Sequence, residues 1–247
     1  MSLESNKKIL FFDIETAPTL AWIWRTGKQY ISHSQIKDNQ RTGIICICYK
    51  FLNEDKVRAL NWGSDDQSSE KMIEEFSRVV ASADLIVGHN GDRFDMRHIN
   101  TQRLLNNQPP ISWPTSEDTL KQFRKVFFLP SYSLDYISKL LTGSGKDRME
   151  FRDWIDIVQD KKALALKKMI SYCKKDVLKL EQIWRKASKY CQVKIHQGVA
   201  AGVGRESCPR CASEAFIKDG FKLTRIGRQQ RYQCKECSYK WTDSRRF

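Results

Sequence analysis

Five residues in three short segments can do chemistry together. Asp13 and Glu15 lie in FDIET (12–16), Asp95 closes GHNGDRFD (88–95), and Tyr172 and Asp176 bound YCKKD (172–176). Four carboxylates make an all-oxygen ligand set, which suits hard cations such as Mg²⁺ or Mn²⁺. Two such ions about 3.5–4 Å apart can clamp a phosphodiester for in-line attack by water. One lowers the pKa of the attacking water and the other stabilises the leaving 3′ oxygen.

These side chains converge only if particular elements carry them. KKILFFDIE (7–15) reads as a strand, so Asp13 and Glu15, two apart, point to one face. Two carboxylates on one face repel unless a cation sits between them. Tyr172 and Asp176, four apart on a predicted helix over 161–190, also share a face. Asp95 opens a predicted helix (94–105) after a short buried strand (84–90), where open α/β sheets tend to bind ligands. Further strands are expected over 43–52, 57–62 and near 111–118, and helices over 70–80, 119–127 and 133–142. Three strands followed by alternating helix and strand predict an α/β fold, a mixed sheet flanked by helices on both faces.

The three segments, in this order and these contexts, resemble the DnaQ-like 3′–5′ exonucleases. The third motif, Tyr-x-x-x-Asp, is that of the tyrosine (DEDDy) subclass. The sister subclass has a histidine five residues before the last Asp; here that position is Ser171, and His33, His89, His98 and His196 all lie elsewhere. The likeness covers residues 7–190 and is nearest to the exonuclease domains of family B DNA polymerases. It implies a ribonuclease H-like fold and two Mg²⁺ or Mn²⁺ ions. Asp13 would bridge the ions, Glu15 and Asp176 would complete the water-activating site, and Asp95 would serve the second metal. Tyr172, with an ordinary pKa near about 10, would orient the water by hydrogen bonding rather than act as a base. Asn90 matches the family's contact to the terminal nucleotide, and Thr16 and Phe94 are further candidate substrate contacts. Each also has a structural reading: Asn90 as a turn residue, Thr16 as the strand exit, Phe94 as core. His89 is expected to be a structural hydrogen-bonder, Asp92 a turn residue and Lys146 a solvated loop charge.

Charge and cysteines single out the tail. The net charge is +14, and residues 192–247 hold 12 Lys/Arg against 5 Asp/Glu, half of the excess in under a quarter of the chain. Such a balance favours a polyanion as partner. Cys208-x-x-Cys211 and Cys234-x-x-Cys237 have the spacing of a structural four-cysteine zinc site. A tail with so few apolar residues needs a metal to fold. FIKDGFKLTRIGRQQRYQC between the pairs reads as a zinc-ribbon hairpin. It resembles the ribbons of transposase-like and other DNA-binding proteins. Its basic residues lie beside Phe221, Tyr232, Tyr239 and Trp241, which offer phosphate contacts and stacking surfaces, with docking of a protein partner as the alternative. The other cysteines, Cys46, Cys48, Cys173 and Cys191, read as ordinary buried or semi-exposed thiols. With no secretory pattern in MSLESNKKILFFDIE and no membrane-length apolar run, a cytoplasmic setting is expected.

The expected organisation is a nuclease domain (1–191), a Gly-rich linker (192–207) and a zinc ribbon (208–247). The expected activity is a metal-dependent 3′–5′ exonuclease on DNA, in repair, recombination or replication. The alternatives are an RNA 3′–5′ exonuclease and a catalytically silent DNA-binding adaptor.

Overall fold

A computed structural model describes residues 8–37, 43–52, 54–143, 149–192, 194–200, 202–225 and 227–242. Lys146 lies outside them.

Five strands form one mixed sheet: β1 (Ile9–Thr16), β2 (Ile44–Phe51), β3 (Arg58–Asn61), β4 (Leu85–Gly88) and β5 (Thr115–Asp118). Their order is β3-β2-β1-β4-β5. β1 runs antiparallel to β2 and parallel to β4, and β4 runs parallel to β5. Three parallel strands therefore end at one edge of the sheet, carrying Asp13 to Thr16, Gly88 and Asp118.

The central strands are apolar on both sides, as a sheet covered on both faces must be. Leu10, Phe12 and Ile14 of β1 pack with Met72, Ile73, Phe76 and Val80 of α1 (Glu70–Ala81) and Ile99 of α2 (Asp95–Leu105). Ile9 and Phe11 face the opposite layer. That layer is α3 (Thr119–Val126), α4 (Leu134–Thr142), α5 (Phe151–Val158) and the 25-residue α6 (Ala163–Ala187). Alternation along β1 then puts Asp13 and Glu15 on the α6 side, in register with Ile9 and Phe11. A buried ion pair, Lys50 with Glu181, further ties β2 to α6, and Arg185 closes on the same carboxylate at 2.7 Å.

The expected elements are present, with differences at their edges. β5 is only four residues long, because the prolines before it keep 109–114 out of the sheet. α5 was not expected from sequence. The stretch 192–207 is not a bare linker: it contains a helical turn, α7 (Gln197–Ala200), whose Gln197 amide donates to the Pro209 carbonyl at 2.7 Å. Gly198 is required there, since a Cβ would stand 1.6 Å from Ser207 Oγ.

The tail forms a second sheet, β6 (Phe216–Thr224), β7 (Gly227–Cys234) and β8 (Lys240–Thr242), antiparallel in that order. The expected hairpin gains a third strand. The β6–β7 register slips between Lys218 and Phe221, at Asp219-Gly220, where Gly220 has φ +70°.

Candidate metal centre and nucleic-acid interface

The site forms where β1 ends beneath α6. Ligand oxygens of Asp13, Glu15 and Asp176 lie within 4.8 Å of one another, a span one small cation can bridge. Asp13 and Glu15 are half-buried, whereas Asp176 is buried in the face of α6. Tyr172, one turn earlier on that face, is half-buried against the core.

Asp95 approaches from the other side of β1. It is 3 % exposed, and its Oδ1 accepts from the Ile14 amide at 3.1 Å. Burial pushes its pKa up to about 7, and the charges of Asp118 and Glu15 add to this, against the backbone amides of Asp95 and Ile14. Asp95 thus neighbours the cluster while standing outside its closest triad. A cation arriving beside this carboxyl would favour its ionised form.

The loop carrying the second motif is folded tightly by two glycines. A Cβ on Gly88 would meet Gly91 Cα at 3.1 Å, and one on Gly91 would meet Gly88 Cα at 3.2 Å. Asn90 between them has φ +65°, a conformation Asn tolerates, and its amide donates to Asp118 Oδ1 at 3.0 Å. This geometry agrees with the turn role. His89 Nε2 donates to the Tyr132 carbonyl at 2.9 Å, and Nδ1 is 2.9 Å from Thr119 Oγ1, as expected of a structural histidine. Asp92 is engaged elsewhere, by Lys121 (2.6 Å) and Ser116. Thr16 ends β1, and its carbonyl is held by Trp154 Nε1 of α5 at 3.2 Å. Phe94 is not core: it is 39 % exposed and rests on His98 at 4.5 Å.

Two residues that sequence reasoning passed over belong to this edge. Asp118 ends β5, caps α3 through the amides of Leu120 and Lys121, and anchors Asn90. Its sequence signal was an Asp-Thr pair at a strand–helix junction. Arg124 lines an open cavity of ≈ 470 Å³ with Asp13, Asp176 and His89. It puts a cation on the wall of the cavity that Asp13 and Asp176 also line.

Cys46, Cys48, Cys173 and Cys191 are all buried, so none is semi-exposed. The first three converge behind Asp13, and Cys173 Sγ donates to the Asp13 carbonyl at 3.5 Å. They fill the space between β2 and α6 as small apolar side chains do.

In the tail, Sγ atoms of Cys208, Cys211, Cys234 and Cys237 gather within 4.8 Å. Cys208 to Cys237 is 3.7 Å, and Cys211 to Cys234 is 3.6 Å. Thiolates about 2.3 Å from a tetrahedral zinc stand about 3.8 Å apart, so the set fits zinc. Burial raises the Cys208 thiol although the amides of Cys211 and Arg210 point at its sulfur, whereas at Cys234 burial is outweighed by the amides of Cys237 and Glu236 and the neighbouring thiols, and the group is lowered to about 7. The cluster is compatible with a zinc ribbon. Its aromatic rings are largely spent on one another: Tyr232 stacks on Trp241 at 5.7 Å, and Phe216 meets both edge-on. Arg210 covers Tyr239 at 4.1 Å. Phe221, half-exposed with Arg228 over it at 4.7 Å, is the more open surface.

The family model described as the RNase H superfamily matches residues 31–188. The chain belongs to the RNase H superfamily. The matched span begins after β1, so Asp13 and Glu15 lie outside it, on the central strand of the sheet. Among solved structures, the chain is similar to the family B DNA polymerase from the hyperthermophilic archaeon Pyrobaculum calidifontis, with TM-score 0.57 and 13% identity over 74% of this chain. The match covers 25% of the polymerase chain, and it shows the fold. No curated protein sequence matches this RNase H superfamily chain. No described helix is long and apolar enough to cross a membrane.

Proposed function

We propose that the chain is a metal-dependent 3′–5′ exonuclease acting on DNA, with residues 1–191 as the nuclease domain and 208–247 as a nucleic-acid-holding zinc ribbon joined through 192–207. The observation that carries this is the convergence of Asp13, Glu15 and Asp176 within 4.8 Å at the carboxyl edge of an RNase H superfamily sheet. Asp95 beside them gives four carboxylates, a set suited to two Mg²⁺ or Mn²⁺.

Bound there, the metals would supply the nucleophilic hydroxide and neutralise charge on the phosphate. Asp13 would hold both ions, Glu15 and Asp176 the one that activates water, and Asp95 the other. Tyr172 orients the water with its hydroxyl. Arg124 takes a phosphate oxygen across the cavity, a cation–anion hydrogen bond of the stronger kind. Asn90, Thr16 and Phe94 contact the terminal nucleotide. The zinc is structural, since four thiolates leave no open coordination position.

A repair, recombination or replication role fits an exonuclease on DNA, and the net charge of +14 fits a polyanionic substrate. RNA as substrate is the competing reading, because no residue identified at the site selects on the 2′-hydroxyl. The intact carboxylate set weighs against a silent adaptor. The test is product analysis on end-labelled DNA and RNA: mononucleotides released from the 3′ end support the proposal, and internal fragments refute it.

A further inference from the structure

The connection from β1 to β2 runs over residues 17–43, far longer than a turn between antiparallel neighbours needs. Its described part is an ordered arm. The Trp22 amide donates to the Gln35 carbonyl at 2.7 Å, and the Lys37 amide to the Leu20 carbonyl at 2.9 Å. Gln35 Nε2 returns to the Trp22 carbonyl at 3.1 Å, and Ala21 and Ile36 form a bridge. The two limbs are thus zipped together below a tip.

The arm carries what a fold normally hides. Trp24 is 100 % exposed, Tyr30 88 % and Trp22 70 %. Residues 17–37 include Arg25, Lys28 and Lys37 and no acidic residue. Exposed flat rings among cations call for a partner that is both flat-ringed and anionic. An acidic protein surface supplies only the charge. A duplex keeps its base faces stacked inside. A single-stranded nucleic acid offers a π-face and a phosphate at every step.

Position supports the same partner. The arm leaves the strand that holds Asp13 and Glu15, and Trp22 lies six residues beyond Thr16. At about 3.6 Å per extended residue, the Trp22 Cα is at most ~22 Å from that of Thr16.

We propose that Trp22, Trp24 and Tyr30, with Arg25 and Lys28, form a stacking platform for the single-stranded segment that leads into the site; its relation to cleavage rests on the nuclease reading, its binding chemistry does not. The test uses the full chain carrying Asp13→Asn, with anisotropy of a labelled oligo-dT, the matched oligo-U and a blunt duplex of equal length. Trp22→Ala with Trp24→Ala is expected to weaken both single strands at least about tenfold, with duplex binding changed less than about twofold. Arg25→Ala with Lys28→Ala is expected to reduce the slope of log Kd against log salt by about 1.4. Unchanged single-strand affinity in variants with unaltered melting curves overturns the proposal. So does equal loss on the duplex, or no measurable single-strand binding at all. Hydrolysis by the unsubstituted protein is read separately. Ring-dependent binding without hydrolysis sinks the nuclease reading and leaves the platform standing; hydrolysis with ring-independent binding does the reverse.

Discussion

Asp95 is a carboxyl held almost out of water beside Glu15 and Asp118, with a pKa pushed up to about 7 by burial first and those charges next. Its folded pKa lies above the unfolded value of about 3.9, so the metal-free protein binds the extra proton on folding. The stability this contributes is full below about pH 4 and is lost as pH rises through about 7. Asp95→Asn should therefore raise the metal-free melting temperature at pH 8 and lose that advantage toward pH 5, read by thermal melts at both. Mg²⁺ should stabilise the natural protein at pH 8 and stabilise this variant much less. Asp13→Ala should cut hydrolysis by more than ~10²-fold, beyond the usual cost of one hydrogen-bond donor in a hydrolase site, with an unchanged melt. The Asp13–Glu15 pair was legible because strand alternation is strict. Arg124 was not, because its value arises only when α3 is folded against the site; Asp118 showed only its Asp-Thr capping signal, since its hold on Asn90 needs β5 in place.

At the scale of elements, two glycines and one long helix set the site. Gly88 and Gly91 let the loop after β4 close to backbone contact, which delivers Asp95 to β1. Gly88→Ala should destabilise by about 1–3 kcal/mol, as overpacking does, and lower the melting temperature by several degrees. An unchanged melt would show that the close approach is not needed. Tyr172→Phe on α6 keeps the ring and removes only the hydroxyl. It should slow turnover while leaving the affinity for Mg²⁺ intact, checked by metal titration alongside rate. α6 was legible from its length and apolar spacing. α5 was missed because it spans only eight residues, although Phe151, Trp154, Ile155 and Val158 stand at helical spacing and the Glu150 amide donates to Asp153 Oδ2 at 2.9 Å to cap it. The turn at α7 was hidden as well. Small residues read as a flexible linker until Ser207 and Gly204 are seen folding back on Gly198.

At the scale of the whole molecule, a tail gathered around four cysteines follows a body built on a five-stranded sheet. Zinc analysis should find one ion per chain held by Cys208, Cys211, Cys234 and Cys237, and chelation should unfold the tail while the five-stranded sheet persists. Circular dichroism with zinc release would show both. Lys218, Lys222 and Arg228 are exposed on β6 and β7. Replacing all three by alanine should lower the salt slope of DNA binding by about 2–3 if each meets a phosphate. An unchanged slope would make the ribbon a protein-docking module. The four-cysteine cluster was legible because two C-x-x-C pairs at this spacing are a metal-ligand pattern, whereas the self-stacking of Tyr232, Tyr239 and Trp241 depends on β8 joining the hairpin. The central claim is tested most directly by digesting 3′- and 5′-labelled single- and double-stranded DNA and matched RNA with Mg²⁺, Mn²⁺ or EDTA. The account predicts metal-dependent release of mononucleotides from the 3′ end, with DNA preferred. No cleavage of any substrate with either metal, by folded zinc-loaded protein, would contradict it.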